Sequence, residues 1–493
     1  MFSKKIIWLI VSLAILAFAF LASIALAYKF YSTSKKVIVE NPPESFWGSI
    51  RDVASSRGKI LRGEKEGQIN ILLLGLAGEN YPGENLTDSI IVASVNPHTF
   101  QTAMLSIPRD FYVQIPDTNS WTKINALYAR GHDRHRSTIE GIEDLKKSLT
   151  DITGLPIHYY IALDFDGFKK VIDELGGVKI QVPKDIHDER YPGPNYSYET
   201  FDIKEGLYTL DGEIALKYAR TRHDEDGDFG RAYRQQQILE SARSKAFSIG
   251  TLVNIPAVNN ILNTLGDHLR TDIPLDELDS LLELSKKIDT HLTVNYVLDA
   301  GKPDSVLAIS RIYLGGVRAF TLIPRTGNYG EIQDIAKNIF DLELLERKKK
   351  EIEREEAIVT VMNASGIAGF NEKIASLLEK IGYETKTGRL VAVKPLRSEQ
   401  TTIFDLSNGL KPFSLEDLSK KLGAEISQTL PENFSAQCRA SDLCLVAGAD
   451  LVDNLNYEEG TIEELESEYE KQPVDEKEYI ELLKRGSNRK FSF

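Results

Sequence analysis

Runs of largely apolar residues recur through the first part of the chain and are separated by amphipathic stretches. Four such runs occur, at residues 69–74, 89–96, 102–107 and 157–162. Short apolar segments bounded by glycine, proline or polar residues are typical of strands buried on both faces of a sheet. The pattern therefore predicts a buried sheet in this part of the protein.

Apolar residues at helical spacing follow the last of these runs. They predict helices over residues 166–175, which end at Gly176-Gly177, and over residues 211–218. Strands that alternate with helices of this length are typical of an α/β fold in which helices cover both faces of a central sheet. We predict such a domain over residues 67–341.

The N-terminal segment determines the expected location. Residues 6–28 are apolar and uncharged, and two lysines precede them. That length is sufficient to cross a bilayer, so we predict a single-pass anchor over residues 1–28 with the rest of the chain extracytoplasmic. A cleaved signal peptide is the alternative, because residues 25–27 (ALA) resemble a cleavage site. Residues 29–66 lack an apolar period and are expected to be a spacer.

The last third of the chain predicts a second, smaller domain. A highly charged helical linker is expected at residues 342–356, and an acidic, flexible tail at residues 453–493. Between them, residues 357–452 predict a small α/β domain. Its glycine-rich turn at residues 363–369 lacks the lysine of a phosphate-binding loop, so it predicts only a strand-to-helix connection. The expected strands of this domain are residues 357–362, 401–405 and 442–447.

Composition narrows the classes of function. A chain of 493 residues with 42% hydrophobic residues can bury more than one core. Its formal charge of -14 argues against general nucleic-acid binding, so any site for a polyanion has to be local. Cys438 and Cys444 are the two cysteines, and their spacing does not predict zinc. They leave open a local disulfide, and a catalytic thiol is not expected.

One local candidate for anion binding lies at residues 218–237 (YARTRHDEDGDFGRAYRQQQ). Arg220 and Arg222 alternate as they would along one face of a strand. Arg231 and Gln235 are four residues apart near a predicted helix start, so they share one helical face. Because the guanidinium fork matches phosphate oxygens, the segment predicts a phosphate clamp. A solvated charge run held by arginine–aspartate pairs is the alternative.

Further charged residues lie at predicted strand ends. Asp88 immediately precedes a buried strand, where a carboxylate can hold a hard cation such as Mg²⁺ or simply cap a turn. Arg109 follows the next strand along the chain, and Lys123 adds another cation. If the two strands are neighbours, Asp88 and Arg109 lie at the same sheet edge, the usual place for ligands in open α/β folds.

Taken in order, several of these segments resemble one known family. The motifs LLLG, LTDS, SIPRD, KINALYARG, LDGEIALKYARTR and DFGRAYRQQQ are similar to those of the LytR-CpsA-Psr family of membrane-anchored cell-wall glycopolymer transferases. The match covers residues 68–248, and weaker similarity extends to residue 340. Residues 359–384 resemble the LytR C-terminal domain that follows many such transferases, and its role is expected to be wall or partner binding.

The resemblance implies an activity, a metal and a mixed central sheet. Family members move a glycan from an undecaprenyl-diphosphate carrier to a peptidoglycan hydroxyl through a phosphodiester. By motif position, Asp88 is expected to bind Mg²⁺. The residues expected to contact the diphosphate are Arg109, Lys123, Arg220, Arg222, Arg231 and Gln235. Arg109, Arg220, Arg222 and Asp88 are the expected catalytic residues, because phosphoryl transfer depends mainly on positioning and charge neutralisation.

Two positions depart from the family pattern. Family members commonly carry an aspartate where this chain has Ala77 and an arginine where it has Leu86. The expected metal site therefore has fewer protein ligands than is common in the family, and Glu79 or Glu84 is a candidate for the missing oxygen ligand. The alternative function is a non-catalytic module that binds or scaffolds polyprenyl-diphosphate-linked glycans.

Overall fold

The fold was analysed in a computed structural model of the chain. It describes residues 31–485, except 40–41, 43, 46–47, 49–50, 53–57, 80, 82, 136, 193–197, 222–226, 249–263, 289–292, 301, 303–304, 315–316, 389–396, 456 and 458–475. These residues divide into two compact units. The first unit comprises the described parts of residues 1–84, 91–104 and 157–293, and the second those of 85–90, 105–156 and 294–493.

The strands and helices of the described residues have the following bounds. The strands are β1 Ile69–Leu76, β2 Thr87–Val95, β3 Thr102–Ile107, β4 Tyr112–Gln114, β5 Trp121–Lys123, β6 Tyr159–Asp164, β7 Val178–Val182, β8 Ile186–Pro192, β9 Tyr198–Ile203, β10 Gly206–Leu210, β11 Leu269–Thr271, β12 Thr293–Val297, β13 Leu307–Leu314, β14 Val317–Pro324, β15 Ile358–Asn363, β16 Glu384–Gly388, β17 Thr402–Asp405, β18 Glu425–Ser427 and β19 Leu443–Ala447. The helices are α1 Ala126–His135, α2 Thr138–Thr153, α3 Phe165–Glu174, α4 Gly212–Arg220, α5 Gly227–Ser248, α6 Leu278–Lys287, α7 Gly330–Lys337, α8 Leu342–Glu355, α9 Phe370–Lys380, α10 Pro412–Leu422, α11 Glu432–Cys438, α12 Asp450–Leu455 and α13 Glu476–Arg485.

A six-stranded sheet has the order β11-β6-β1-β2-β3-β12. It is mixed, because β1 pairs with β6 in parallel and β11 pairs with β6 antiparallel. The four predicted strands correspond to β1, β2, β3 and β6, and the two predicted helices to α3 and α4. The predicted α/β fold with a central mixed sheet is confirmed.

The first unit has a separate apolar core beneath α4. Inward-facing residues of β7 alternate with exposed ones, and the buried set Val178, Ile180 and Val182 packs in one cluster with Tyr218 of α4. This alternation is what a strand with one buried face produces. The helix begins at Gly212 because the Asp211 carboxylate accepts the backbone N–H of Ile214 over 2.9 Å. The cap therefore fixes where α4 begins, and the buried residues of this helix pack it against β7.

The predicted spacer at residues 29–66 is more ordered than expected. Residues 31–37 form a helix, and Ile38 makes a bridge to Thr271 of β11. Val37 and Leu61 are buried within the first unit. Isolated apolar residues in this polar stretch therefore pack against the first unit. Their spacing shows no helical or strand periodicity, so the sequence pattern did not predict this packing.

The second unit contains a five-stranded sheet of order β16-β15-β19-β17-β18. β15, β17 and β19 correspond to the three predicted strands, and α9 follows the glycine-rich turn as a helix, whereas β16 and β18 were not predicted. The helix α8 matches the charged linker and has no buried residue. Cys438 and Cys444 form a disulfide. The predicted domain bounds remain predictions.

In the described part of the predicted flexible tail, Leu455, Tyr457 and the helix α13 are packed rather than flexible. The helix α13 lies in the second unit, and its Leu483 is 2% exposed in the same apolar cluster as Tyr112 and Trp121. Among the described residues, no helix is both long and apolar enough to span a membrane. The predicted anchor at residues 6–28 lies outside them.

Candidate functional site

Four charged side chains meet in the second unit where β2 begins and β3 ends. Nη1 of Arg109 lies 2.8 Å from Oδ1 of Asp88, and its Nε lies 3.5 Å from Oδ2 of Asp110. The ammonium of Lys123 lies 2.6 Å from Oδ1 of Asp110. Because β2 and β3 are neighbours joined by a short turn, the end of one strand lies beside the start of the other. The predicted meeting of Asp88 and Arg109 at one sheet edge is confirmed.

The four described side chains of this charged cluster are two carboxylates and two cations, so their own formal charges cancel. The Lys123–Asp110 pair is deeply buried, with 7% and 10% of the side chains exposed. Asp88 and Arg109 keep 27% and 19% of their side chains exposed. Solvent, and therefore a ligand, has better access to the second pair.

Asn125 connects the backbone segments of the charged cluster. Its carbonyl accepts the N–H of Thr87 over 3.1 Å, and its own N–H donates to the carbonyl of Arg109 over 3.3 Å. The residue is buried, and its side-chain Oδ1 has no hydrogen-bond partner among the described residues. Buried amide oxygens are rarely left unpaired. Asn125 was quoted within the KINALYARG motif but not predicted as a site residue, because sequence gives no sign of such an unmet hydrogen bond.

Asp88 is the carboxylate predicted to bind a divalent cation, and Arg109 already contacts one of its oxygens. The part of the chain that the structure describes has no group of three or more histidine, cysteine, aspartate or glutamate side chains placed to bind a metal. Mg²⁺ keeps several waters and is often held through one or two carboxylates together with substrate phosphate. Asp88 therefore fits Mg²⁺ as one protein ligand, and the described residues do not form a closed metal site.

In the first unit, Arg220 is surrounded by aromatic rings. Its guanidinium carbon lies 4.4 Å from the ring centre of Phe165, 5.4 Å from that of Tyr191 and 5.9 Å from that of Tyr81. Its Nη1 donates to the Tyr191 hydroxyl over 3.1 Å. Among the described residues, no carboxylate forms an ion pair with Arg220. Aromatic faces stabilise a guanidinium without neutralising its charge, so an anion can still be bound.

The tyrosine that contacts this guanidinium stays neutral at physiological pH. Burial raises the pKa of the Tyr191 hydroxyl to about 12, although the positive charge of Arg220 acts in the opposite direction. A phenol in this state accepts the arginine hydrogen bond. Tyr191, Phe165 and Tyr81 were not predicted as site residues, because they are distant in sequence and only the fold gathers them.

The prediction that Arg220 and Arg222 alternate along a strand is wrong for Arg220. This residue is the last of α4, a helix with a capped start and a buried face. Alternating charged residues at a helix end look like one face of a strand when read in sequence alone. Arg222 lies outside the described residues.

Arg231 and Gln235 lie in α5, as the helical spacing predicts. Nε2 of Gln235 donates to the carbonyl of Ala219 over 3.2 Å, so its amide contacts the C-terminal turn of α4 next to Arg220. Arg231 is buried, with 8% exposure. The predicted roles of Arg231 and Gln235 in diphosphate binding stay predictions.

A third arginine, Arg234, fixes the connection between α4 and α5. Its Nε donates to the carbonyl of Tyr218 over 3.0 Å, and its Nη2 donates to that of Thr221. The Thr221 hydroxyl in turn donates to the fully buried Asp188 carboxylate over 2.9 Å. Backbone carbonyls that would otherwise be unpaired at the end of α4 are thereby satisfied. This network holds the residues around Arg220 in place.

The model of the LytR_cpsA_psr family matches residues 27–298. That is more than half of the chain. The chain belongs to the LytR-CpsA-Psr family.

Curated relatives of this LytR-CpsA-Psr protein include two named proteins. It is 34% identical over 272 residues to the polyisoprenyl-teichoic acid–peptidoglycan teichoic acid transferase TagV of Bacillus subtilis, covering 53% of this chain and 64% of TagV. It is 37% identical over 213 residues to the regulatory protein MsrR of Staphylococcus aureus, covering 43% of this chain and 58% of MsrR. The chain therefore spans less than two thirds of the length of either relative.

Solved structures with a similar fold include that of B. subtilis TagV, at 27% identity and a TM-score of 0.43, which covers 56% of this chain and 97% of that one. Another is "TagT bound to LIIa-WTA", at 24% identity and a TM-score of 0.41, which covers 58% of this chain and 93% of that one.

The two departures from the LytR-CpsA-Psr pattern both lie in apolar surroundings. Ala77 is 2% exposed and packs in a cluster with Phe165 and Leu216 in the first unit. Leu86 packs against the apolar core of the second unit. Glu79 and Glu84 are both exposed. The idea that one of these glutamates supplies a metal oxygen remains a prediction.

Proposed function

We propose that this protein transfers a glycopolymer from a polyprenyl-diphosphate carrier to a peptidoglycan hydroxyl. Membership of the LytR-CpsA-Psr family and the names of the transferase relatives support the general class of reaction. The observation that carries the proposal is the guanidinium of Arg220, which lies among three aromatic rings and, among the described residues, has no carboxylate partner. A cation held in this way is available for a diphosphate.

The proposed reaction is an exchange at one phosphorus atom. The oxygen of the acceptor hydroxyl bonds to the phosphorus that carries the glycan, and the bond from this phosphorus to the bridging oxygen breaks. Polyprenyl monophosphate leaves, and the hydroxyl proton passes to solvent. The protein contributes positive charge and position. In the proposal Arg109, Arg220, Arg222 and Arg231 neutralise the diphosphate, with Gln235 and Lys123 in supporting contacts.

Mg²⁺ is the proposed cofactor, with Asp88 as its protein ligand. When bound, the ion would add positive charge to the phosphate oxygens. Arg109 contacts the same carboxylate, so it orients Asp88 and limits how many of its oxygens the ion can share. Weak affinity of the protein alone, rising when a diphosphate is present, is the expected behaviour.

The finer location also belongs to the proposal. Residues 6–28 would anchor the chain in the membrane as a single span, with the rest extracytoplasmic, where carrier lipid and peptidoglycan are both accessible. The domain proposed at residues 357–452 would bind the wall or a partner.

A reconstituted transfer assay tests the proposed function. The purified full chain is mixed with a polyprenyl-diphosphate-linked glycan in lipid vesicles, peptidoglycan and Mg²⁺. Glycan joined to peptidoglycan by an acid-labile phosphodiester, and polyprenyl monophosphate released in equal amount, are the expected products. Binding of the lipid without either product would reject catalysis.

That second outcome is the alternative function, a non-catalytic module that binds lipid-linked glycans. The specific observation in its favour is Ala77, which puts an apolar residue where family members commonly carry an aspartate. Catalytic turnover of the lipid-linked glycan separates the two functions, because both predict binding. Isothermal titration with Mg²⁺, with and without the lipid, tests the proposed metal ligand. Equal Mg²⁺ affinity of the wild type and Asp88→Ala would remove Asp88 from the proposal.

A further inference from the structure

The C-terminal helix α13 packs against the elements that carry Lys123. It lies within the second unit against α1 and β5. Its Leu483 is 2% exposed and belongs to the apolar cluster of Tyr112 in β4 and Trp121 in β5. The rings of Tyr112 and Trp121 are stacked, with centroids 5.7 Å apart. A segment whose composition predicts a flexible tail therefore contributes to a core.

Polar contacts fix the position of α13 as well. The hydroxyl of Thr122 donates to the carbonyl of Leu483 over 2.5 Å, and Nη1 of Arg130 donates to the carbonyl of Lys484, also over 2.5 Å. The ammonium of Lys484 lies 2.5 Å from the carboxylate of Asp133. The first two bonds satisfy carbonyls at the end of α13, where the helix itself offers no partner. The contacts involve backbone as well as side chains, which makes the packing specific.

The strand next to these contacts needs such support. β5 has three residues, and among the described residues it pairs with β4 alone, in a two-stranded sheet. Two-stranded ribbons of this length are at best marginally stable alone. Thr122, which bonds to α13, immediately precedes Lys123, whose ammonium is bound to Asp110 over 2.6 Å. Loss of α13 would therefore loosen the strand on which this buried cation depends.

We propose that α13 is a positioning element of the charged cluster: it braces β5 and so keeps Lys123 buried against Asp110. The role in ligand binding rests on the proposed function, in which Lys123 contacts the diphosphate. The packing itself does not depend on that function.

Lysine labelling tests the brace without reference to activity. The full chain is compared with a chain ending at residue 475 and with Leu483→Ala, and acylation of each lysine is followed by mass spectrometry. Labelling of Lys123 is expected to rise at least about tenfold in both variants, because a group protected by local packing reacts only when that region opens. Lys147, whose side chain is 51% exposed, is the internal control and should not change.

Matched variants separate bracing from general instability. Leu482→Ala removes the same atoms from the neighbouring, half-buried position and should leave Lys123 protected. Thr122→Val removes the hydroxyl with little change of shape and should raise labelling, whereas Thr122→Ser keeps the hydroxyl and should restore protection. Unchanged protection of Lys123 in the folded truncated chain would overturn the proposal.

Affinity for farnesyl diphosphate, a soluble polyprenyl diphosphate, tests the consequence for binding. It is expected to fall about tenfold in the truncated chain and in Leu483→Ala, which corresponds to one charge-assisted hydrogen bond. Greater labelling with unchanged affinity would confirm the brace and overturn its role in binding. A wild-type chain that binds no farnesyl diphosphate would overturn the proposed function, and the labelling result alone would then decide the brace.

Discussion

The charged cluster and the surroundings of Arg220 stabilise positive charge in different ways. In the second unit, Arg109 and Lys123 are each bound to carboxylates within 4 Å, and the charges cancel. In the first unit, Arg220 is stabilised by rings and a phenol that leave its charge in place. A paired cluster supplies rigidity and costs stability when one member is lost. A ring-bound cation supplies net charge for a ligand, so its loss is expected to affect binding more than folding.

The strongest effect on folding is expected from Lys123→Met. The change leaves the buried Asp110 without its nearest cation, which typically costs about 3–5 kcal/mol of unfolding free energy. Urea titration measures the loss. Lys147→Met is the control, because its partner Asp117 is largely exposed and solvent screens such a pair, so little change in stability is expected. Equal losses of unfolding free energy in the two variants would show that the charged cluster is not buried in solution.

Arg220→Ala is expected to act on activity instead. Removing a charge-assisted contact to the transferred phosphate lowers the rate by about 10²-fold or more. The transfer assay measures this, and the melting temperature should change little. Arg270→Ala is a control in the same unit, since that guanidinium donates to nearby backbone carbonyls. If Arg220→Ala unfolds easily but transfers glycan normally, the expected contrast between Arg220 and the charged cluster is reversed.

The sequence predicted the parts of the fold that local patterns specify. Four apolar runs became β1, β2, β3 and β6, and the strand-end positions of Asp88 and Arg109 predicted their contact. It did not predict that Arg220 ends a helix, because the four residues around it contain no period long enough to distinguish helix from strand. The packing of α13 was also missed. One buried leucine decides it, and tertiary contacts of this kind leave no periodic signal.

The apolar surroundings of Ala77 can be tested by introducing a charge at this position. Ala77→Asp restores the residue common in the family, but within a cluster of Phe165 and Leu216. We expect a loss of about 2 kcal/mol at neutral pH, because a buried carboxylate lacks a partner. The loss should shrink at low pH, since burial raises the pKa of the new carboxyl and protonation removes the cost.

Denaturant titrations at two pH values measure this effect, with Ala77→Asn as the uncharged control. Mg²⁺ together with farnesyl diphosphate should restore part of the lost stability if the position belongs to the metal site. No loss at neutral pH would show that Ala77 already lies in a polar, solvated environment.

The smallest effect is expected from Tyr191→Phe, which removes one hydrogen-bond acceptor from Arg220 and keeps the ring. Below about pH 9 the cost should be about 1 kcal/mol and constant. The tyrosine has a pKa raised from 10.0 to about 12 by burial, so the folded state favours the neutral phenol. Its contribution is fully present below the unfolded pKa and is lost as pH rises toward the folded one. Between pH 10 and 12 the wild type should therefore lose stability relative to Tyr191→Phe, and equal slopes of unfolding free energy against pH for the two proteins would contradict the burial of this phenol beside the arginine.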